Sequence, residues 1–329
     1  MGDVKIGYAA ALEQFAPTEM IALCEVAERH GFVGTMAADH FQPWVPQQGQ
    51  ASYVWNILSA VGQRTAGDLG PGVTCPTFRY HPAIVAQAAA TLEAMYPGRT
   101  WLGLGSGEAL NEHMFGGYWP EAPERISMMF EAVEVIQKLF TGKDVKHAGS
   151  YFKLHSTRLW TRGEHPPLIF IATAGPITAR RTGARCDGII TPGATSEKVA
   201  GVLAKFDEGA RAEGKDPSTM PKLLQLHLSW AATDEEALTN AMTEWPNGGM
   251  KFAKQDVRSP HDFAAIASLV RPEDFEGRMV ISSDPDRHRA EIQRFLDLGV
   301  TQIYLHNVGR NQTEWMETFG REVLPQLHR

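Results

Sequence analysis

Cysteine is scarce in this sequence: Cys24, Cys75 and Cys186 are the only three in 329 residues. None forms a Cys-x-x-Cys pair or falls in a zinc-ligand spacing with histidine, so neither a disulfide framework nor a metal site is expected. Long apolar runs are missing as well. Those present fall well short of the roughly 18 residues that a spanning helix needs, which argues against a membrane partner. There is no basic tract, and 38 acidic residues outnumber 31 Lys and Arg for a formal charge of −7. A nucleic-acid surface needs clustered cations to replace phosphate counterions, so none is expected. The N-terminus shows no charged leader followed by an apolar stretch, and free thiols suit a reducing compartment, so the expected location is cytoplasmic. No internal repeat and no domain linker is visible, and the expectation is a single domain over residues 1–329.

What the chain does have is alternation. Strand-like runs fall at residues 4–9, 33–38, 72–76, 100–104, 168–173, 188–191, 223–231 and 301–306. Helical periodicity fills most intervals, near 18–30, 53–64, 84–95, 126–139, 198–213, 234–244, 286–298 and 312–327. The first of these helices is expected to start on a Thr18 cap and to stop at Gly31. Strand and helix in alternation imply a parallel sheet, and eight units point to an α/β fold of the (β/α)8 TIM-barrel type rather than an open Rossmann sheet. The run Gly103-Leu104-Gly105-Ser106-Gly107 lacks the dinucleotide fingerprint spacing and follows a fourth strand. A barrel typically needs ~250 residues, so the surplus is placed in insertions near 112–125, 142–166 and 246–276.

Ligands bind a barrel at the carboxyl ends of its strands. The second exit carries Asp39, His40 and Trp44, where Pro43 also denies the turn to a helix. The fourth carries Gly107 and Glu108, and the eighth His306 and Asn307. An imidazole titrates near neutrality and can serve as a base, while a carboxyl in an apolar mouth can stay protonated and serve as an acid. His40 and Glu108 make such a couple. Each residue also has a structural alternative: His40 as a strand-end hydrogen bonder, Glu108 as a helix cap, Trp44 as a core aromatic. After the fifth strand, Ala174, Gly175, Pro176 and Ile177 read as a turn into a helix whose free amides suit phosphate. Lys254 and Arg278 are isolated cations able to clamp a second anion or to sit solvated on the surface.

Five segments together carry a resemblance: 13–17 (Glu-Gln-Phe-Ala-Pro), 39–44 (Asp-His-Phe-Gln-Pro-Trp), 76–82 (Pro-Thr-Phe-Arg-Tyr-His-Pro), 96–99 (Tyr-Pro-Gly-Arg) and 105–112 (Gly-Ser-Gly-Glu-Ala-Leu-Asn-Glu). The chain resembles the coenzyme F420-dependent glucose-6-phosphate dehydrogenase group of the luciferase-like superfamily, in register over roughly the first 125 residues and more loosely beyond. The resemblance implies a TIM-like barrel, a homodimer, and a small-molecule alcohol whose carbinol carbon yields hydride to C5 of the deazaflavin. It implies His40 as base, Trp44 as its stabilising neighbour and Glu108 as acid toward the cofactor. Cofactor contacts fall by analogy on Asp39, a cis peptide at Gly72 and Val73, Cys75, Gly107, Asn111 and the turn Ala174, Gly175, Pro176, Ile177. Substrate contacts fall on Glu13, Thr191, Lys254 and Arg278. The pattern departs at Ala194, where sugar-phosphate members of the group carry a lysine. Losing one phosphate contact of ~1.5–3 kcal/mol weakens binding about ten- to hundredfold, and Lys198 lies one helical turn on. A sugar 6-phosphate is the expected substrate, with secondary alcohols or hydroxylated lipids as alternatives. An FMN-dependent monooxygenase and a cofactor-free sugar-phosphate-binding protein are the competing classes.

Overall fold

The computed structural model describes residues 4–252 and 254–328. Alternation begins at once, with β1 (Lys5–Ala10), α1 (Pro17–Arg29), β2 (Gly34–Ala37), α2 (Val54–Arg64), β3 (Asp68–Pro71), α3 (Pro82–Met95) and β4 (Trp101–Leu104). A single helical turn, α4 (Ala109–Glu112), and the long α5 (Ala122–Phe140) lead to an antiparallel hairpin of β5 (Val145–Ala148) and β6 (Lys153–Thr157). Alternation resumes with β7 (Leu168–Ala172), α6 (Pro176–Arg185), β8 (Gly188–Pro192), α7 (Ser196–Ala212), β9 (Lys222–Ser229) and α8 (Asp234–Glu244). The chain then runs through α9 (Pro260–Ala267), the two-residue β10 (Val280–Ile281), α10 (Pro285–Asp297), β11 (Gln302–Asn307) and α11 (Gln312–Thr318).

Eight strands pair in the order β3, β2, β1, β11, β9, β8, β7, β4, with β10 beside β9 off that path. Every pairing in this sheet is parallel. Bridges from Leu69 to Thr100 and from Thr74 to Leu104 join the two ends. The result is a (β/α)8 barrel, as the alternation predicts.

Strand residues alternate between the two faces of the barrel wall. One parity places Ala9, Met36, Trp101, Phe170, Ile190, Leu223 and Tyr304 in a buried cluster inside the ring. The other parity, including Tyr8, Leu102, Ile171, Ile189, Leu224 and Leu305, joins the larger core beneath the helices. Each such aliphatic or aromatic side chain contributes about 1.5–3 kcal/mol by its burial. A polar plug closes the lower end of the ring. Trp101 Nε1 donates to the Tyr304 hydroxyl at 3.1 Å, and Tyr304 and Gln302 both donate to the Asp68 carboxylate.

The third strand differs from expectation, since β3 occupies Asp68–Pro71 and residues 72–76 contribute only the bridge at Thr74. Asp, Gly and Pro are poor strand formers, so the segment reads as a turn. Tertiary packing overrides that preference. The Trp101 ring lies over Gly70, where a Cβ would stand 2.1 Å from it. Helix α1 also starts one residue early, capped by Ala16 without a side-chain bond and with Pro17 at its first position, so Thr18 is not the cap. The last helix is broken: α11 ends at Thr318, a π turn covers Phe319–Val323, and a 3-10 turn at Leu324–Gln326 contains Pro325, which cannot continue an α-helix.

Of the surplus segments, 112–125 holds a 3-10 turn at His113–Phe115 before α5 begins. Residues 142–166 hold the β5–β6 hairpin. Residues 246–276 hold α9 between 3-10 turns at Pro246–Gly248 and Pro272–Phe275.

Candidate active site

The upper end of the ring opens into a cavity of about 460 Å³, within the usual range for a small-molecule site. Its floor is apolar and low, built from Ala9, Met36, Val73, Gly105, Ala172 and Ile190. The peptide bond between Gly72 and Val73 is cis.

Loop 38–44 supplies one polar side of the cavity. Asn111 Oδ1 accepts the backbone N–H of Phe41 at 2.8 Å and of Gln42 at 3.1 Å. Gln48 Oε1 accepts the N–H of Trp44 at 2.9 Å. The loop is therefore held at both ends. Thr74 Oγ1 donates to Asp39 Oδ2 at 2.9 Å and the Tyr80 hydroxyl to Asp39 Oδ1 at 3.3 Å. Arg79, buried beneath, reaches the Asp39 backbone carbonyl through Nη2 and Glu112 Oε1 through Nε at 3.1 Å. Burial raises the Asp39 carboxyl above its ordinary range against the opposing pull of Arg79, and pushes Glu112 up to about 7.

His40 does not act as a simple strand-end hydrogen bonder. Its Nδ1 lies 2.6 Å from Glu13 Oε1, an ion pair when the imidazole is protonated. Burial pulls the imidazole down, but Glu13 and, behind it, Glu108 outweigh this and hold it above its ordinary value. Burial likewise pushes the Glu13 carboxyl up, and His40 outweighs that and holds it low. Trp44 meets the His40 ring edge-on at 5.2 Å between centroids, and meets Trp245 and Phe263 in the same way at 5.9 and 5.2 Å.

Glu108 occupies the cap position of α4, yet its side chain caps no amide among the described residues. Its Oε2 is instead buried without a hydrogen-bond partner among them, and burial raises the carboxyl. Gly107 beside it adopts a φ of +83°, a conformation that side chains disfavour, and a Cβ there would stand 2.7 Å from Cys75 Sγ. Burial pushes the Cys75 thiol up to about 12. Lys254 Nζ donates to the Asn247 carbonyl at 2.6 Å, and burial lowers its ammonium against the pull of Glu108.

Of the residues singled out in the sequence, Glu13, Asp39, His40, Trp44, Gly72, Val73, Cys75, Gly107, Glu108, Asn111 and Lys254 line this one cavity. Six do not. Ala174, Gly175, Pro176 and Ile177 form the start of α6, one strand end above Ala172, and Ile177 is 86% exposed. Thr191 has the wrong parity: Ile190 and Pro192 face the cavity and Thr191 is buried outside the ring between them. Arg278 is exposed and donates to the Met250 carbonyl at 3.3 Å. Ala194 packs against the core, and Lys198 is exposed and lines no part of the cavity.

The cavity also contains residues that the sequence reading passed over: Gln225, His227, Trp245, Asn247 and Gln255. His227 and Gln225 continue the inward parity of Leu223 along β9, a signal legible once the strand is placed. Trp245, Asn247 and Gln255 lie in or beside the third surplus segment, which shows no period.

The family described as luciferase-like monooxygenase matches residues 4–302 of this chain. The chain belongs to that family. Within it, the chain is 35% identical over 330 residues to F420-dependent glucose-6-phosphate dehydrogenase 2 of Rhodococcus jostii (strain RHA1), covering 99% of this chain and 98% of the relative. It is 36% identical over 332 residues to the F420-dependent glucose-6-phosphate dehydrogenase of Nocardia farcinica (strain IFM 10152), covering 99% of each. Among solved structures, an F420-dependent secondary alcohol dehydrogenase in complex with an F420-acetone adduct superposes with a TM-score of 0.94 at 32% identity, covering both chains entirely. A luciferase-like (β/α)8 barrel read from the sequence is thus what the chain forms.

Proposed function

We propose that the protein is a coenzyme F420-dependent dehydrogenase that oxidises the carbinol carbon of a small alcohol. The observation that carries this reading is the convergence of the Glu13–His40 pair, Trp44 and the unpartnered Glu108 carboxyl on one apolar-floored cavity. The residues present suit F420. The floor of Ala, Gly and Val leaves room for a flat ring at the backbone, and Glu108 Oε2 offers a buried group with no protein partner among the described residues. When bound, F420 supplies the hydride acceptor.

The protein's own part is proton handling and positioning. A carbinol cannot release hydride easily while it keeps its proton, so a base must sit where the hydroxyl will lie. His40 in its deprotonated form is that base, and Glu13 stabilises the imidazolium formed. Trp44 fixes the ring edge-on and excludes water from one side. Glu108, kept protonated by burial, holds a proton at Oε2 for the cofactor side of the cavity. Asp39 and Asn111 hold the loop that carries His40.

A sugar 6-phosphate such as glucose 6-phosphate is the substrate suggested by the full-length relatives, with Lys254 as the cavity's cation. A secondary alcohol is the second reading. It is favoured by Thr191 facing away, Arg278 lying outside the cavity and Ala194 supplying no charge. Homodimer formation and a cytoplasmic location belong to this proposal, supported by the resemblance; no described helix is long and apolar enough to cross a membrane. The test is spectrophotometric: purified protein with oxidised F420 and a panel of phosphorylated and free alcohols. Alcohol-dependent bleaching of F420 is expected. Tight binding of FMN with none of F420 overturns the reading in favour of a monooxygenase.

A further inference from the structure

Opposite the apolar floor stands a polar wall that the proton chemistry above does not use. His227 and His306 sit directly opposite each other on the paired strands β9 and β11 and both line the cavity. Their Nδ1 atoms are 2.8 Å apart. Two ring nitrogens at this distance share one proton, so one Nδ1–H donates and the other Nδ1 accepts. Burial lowers both rings, His306 to about 4 and His227 well below its ordinary value, so the pair is neutral near neutral pH.

A neutral imidazole carries a single N–H. The ring that gives its Nδ1–H therefore keeps a bare Nε2, and the ring that accepts carries its proton on Nε2. Whichever tautomer forms, the pair presents one Nε2–H donor and one Nε2 lone pair. His306 Nε2 is buried without a hydrogen-bond partner among the described residues, and so are both amide atoms of Asn247 on the same wall. Trp245 locks the geometry, stacking on His227 at 4.7 Å and meeting His306 edge-on at 4.9 Å.

Buried polar atoms left unpaired are costly, and a ligand that pairs them gains what they lack. A hydroxyl both donates and accepts, so it pairs His306 Nε2 whichever tautomer His227 imposes on that ring, and it can pair either amide atom of Asn247. We propose that His227, His306 and Asn247 form a hydroxyl-reading subsite that takes a second, uncharged hydroxyl of the substrate, distinct from the carbinol that is oxidised. The proposal rests on the dehydrogenase reading and narrows its substrates to alcohols with more than one hydroxyl. His227 and His306 set specificity here and take no part in proton transfer.

The test uses holoenzyme reconstituted with F420 and a matched pair of probes, trans-1,2-cyclohexanediol and cyclohexanol. Wild type is expected to favour the diol in kcat/KM by about tenfold or more. His306→Leu, and separately His227→Leu, should bring that ratio to near one while F420 affinity is unchanged, and His306→Gln should recover part of it through an amide near the Nε2 position. A ratio unchanged in both leucine variants, or equal losses on the two alcohols, overturns the subsite. Where neither alcohol is turned over, calorimetric titration of the diol decides. Binding weakened by His306→Leu upholds the subsite, and the dehydrogenase reading is then decided separately by F420 bleaching with the phosphorylated and free alcohols; binding that is absent, or indifferent to His306→Leu, sinks the subsite.

Discussion

Two carboxylates near His40 play opposite parts because their partners differ. Glu13 lies 2.6 Å from the imidazole, which lowers its carboxyl, whereas Glu108 has no hydrogen-bond partner at Oε2 among the described residues and is raised by burial. Replacing Glu13 by Gln removes the negative charge that raises His40. Burial then dominates, the imidazole titrates lower, and the acid limb of the kcat/KM profile moves to lower pH, with kcat reduced about tenfold. A pH series on wild type and Glu13→Gln reads this directly; an acid limb that stays put means that His40 is not the base. Glu108→Gln keeps the shape and loses the transferable proton. Its kcat should fall by about 10² to 10⁴ while F420 affinity, followed by fluorescence, changes little.

At the scale of elements, the site depends on a loop fixed from beneath. The Arg79 side chain is 4% exposed and spans Asp39 and Glu112, two carboxylates on different segments that both line the cavity. Removing a buried partner leaves charges uncompensated. Arg79→Met should destabilise the fold by about 3–5 kcal/mol, read from the urea midpoint, and Arg79→Lys should recover little because an ammonium cannot span both groups. Arg79 stands in a stretch that the sequence reading quotes only for its resemblance; nothing local says that a guanidinium will be buried there. Similar reasoning accounts for what was legible elsewhere. Polar strand exits that line the cavity were readable, as at Asp39, His40 and Glu108, because charge stops an apolar run. Parity was not readable at Thr191, because β8 is apolar on both faces and a strand buried on both sides shows no alternation. The third strand stayed hidden because Asp68 and Gly70 are matched to Tyr304 and Trp101, which lie far along the chain.

Taken whole, the molecule buries titratable groups of two kinds, and their opposing pH dependences meet near neutrality. His288 and His306 are lowered by burial to about 4. The unfolded chain therefore binds protons at these sites that the folded chain does not, and stability from them is lost as pH falls below about 6.5. Glu112 is raised by burial to about 7. Its folded form holds a proton that the unfolded form releases near 4.3, so its contribution is lost as pH rises through 7. His40, raised by Glu13, adds to the same loss. Between about pH 4.5 and 6.5 the two sets oppose each other. Above that window only the second set acts, each group contributing a slope of at most about 1.4 kcal/mol per pH unit. The cofactor-free protein should thus show a falling urea midpoint as pH rises from about 6.5 through 7, and Glu112→Gln, which cannot ionise, should make the fall shallower. A slope identical in wild type and Glu112→Gln would show that Glu112 is already charged in the folded protein, stabilised by Arg79 more strongly than burial opposes it.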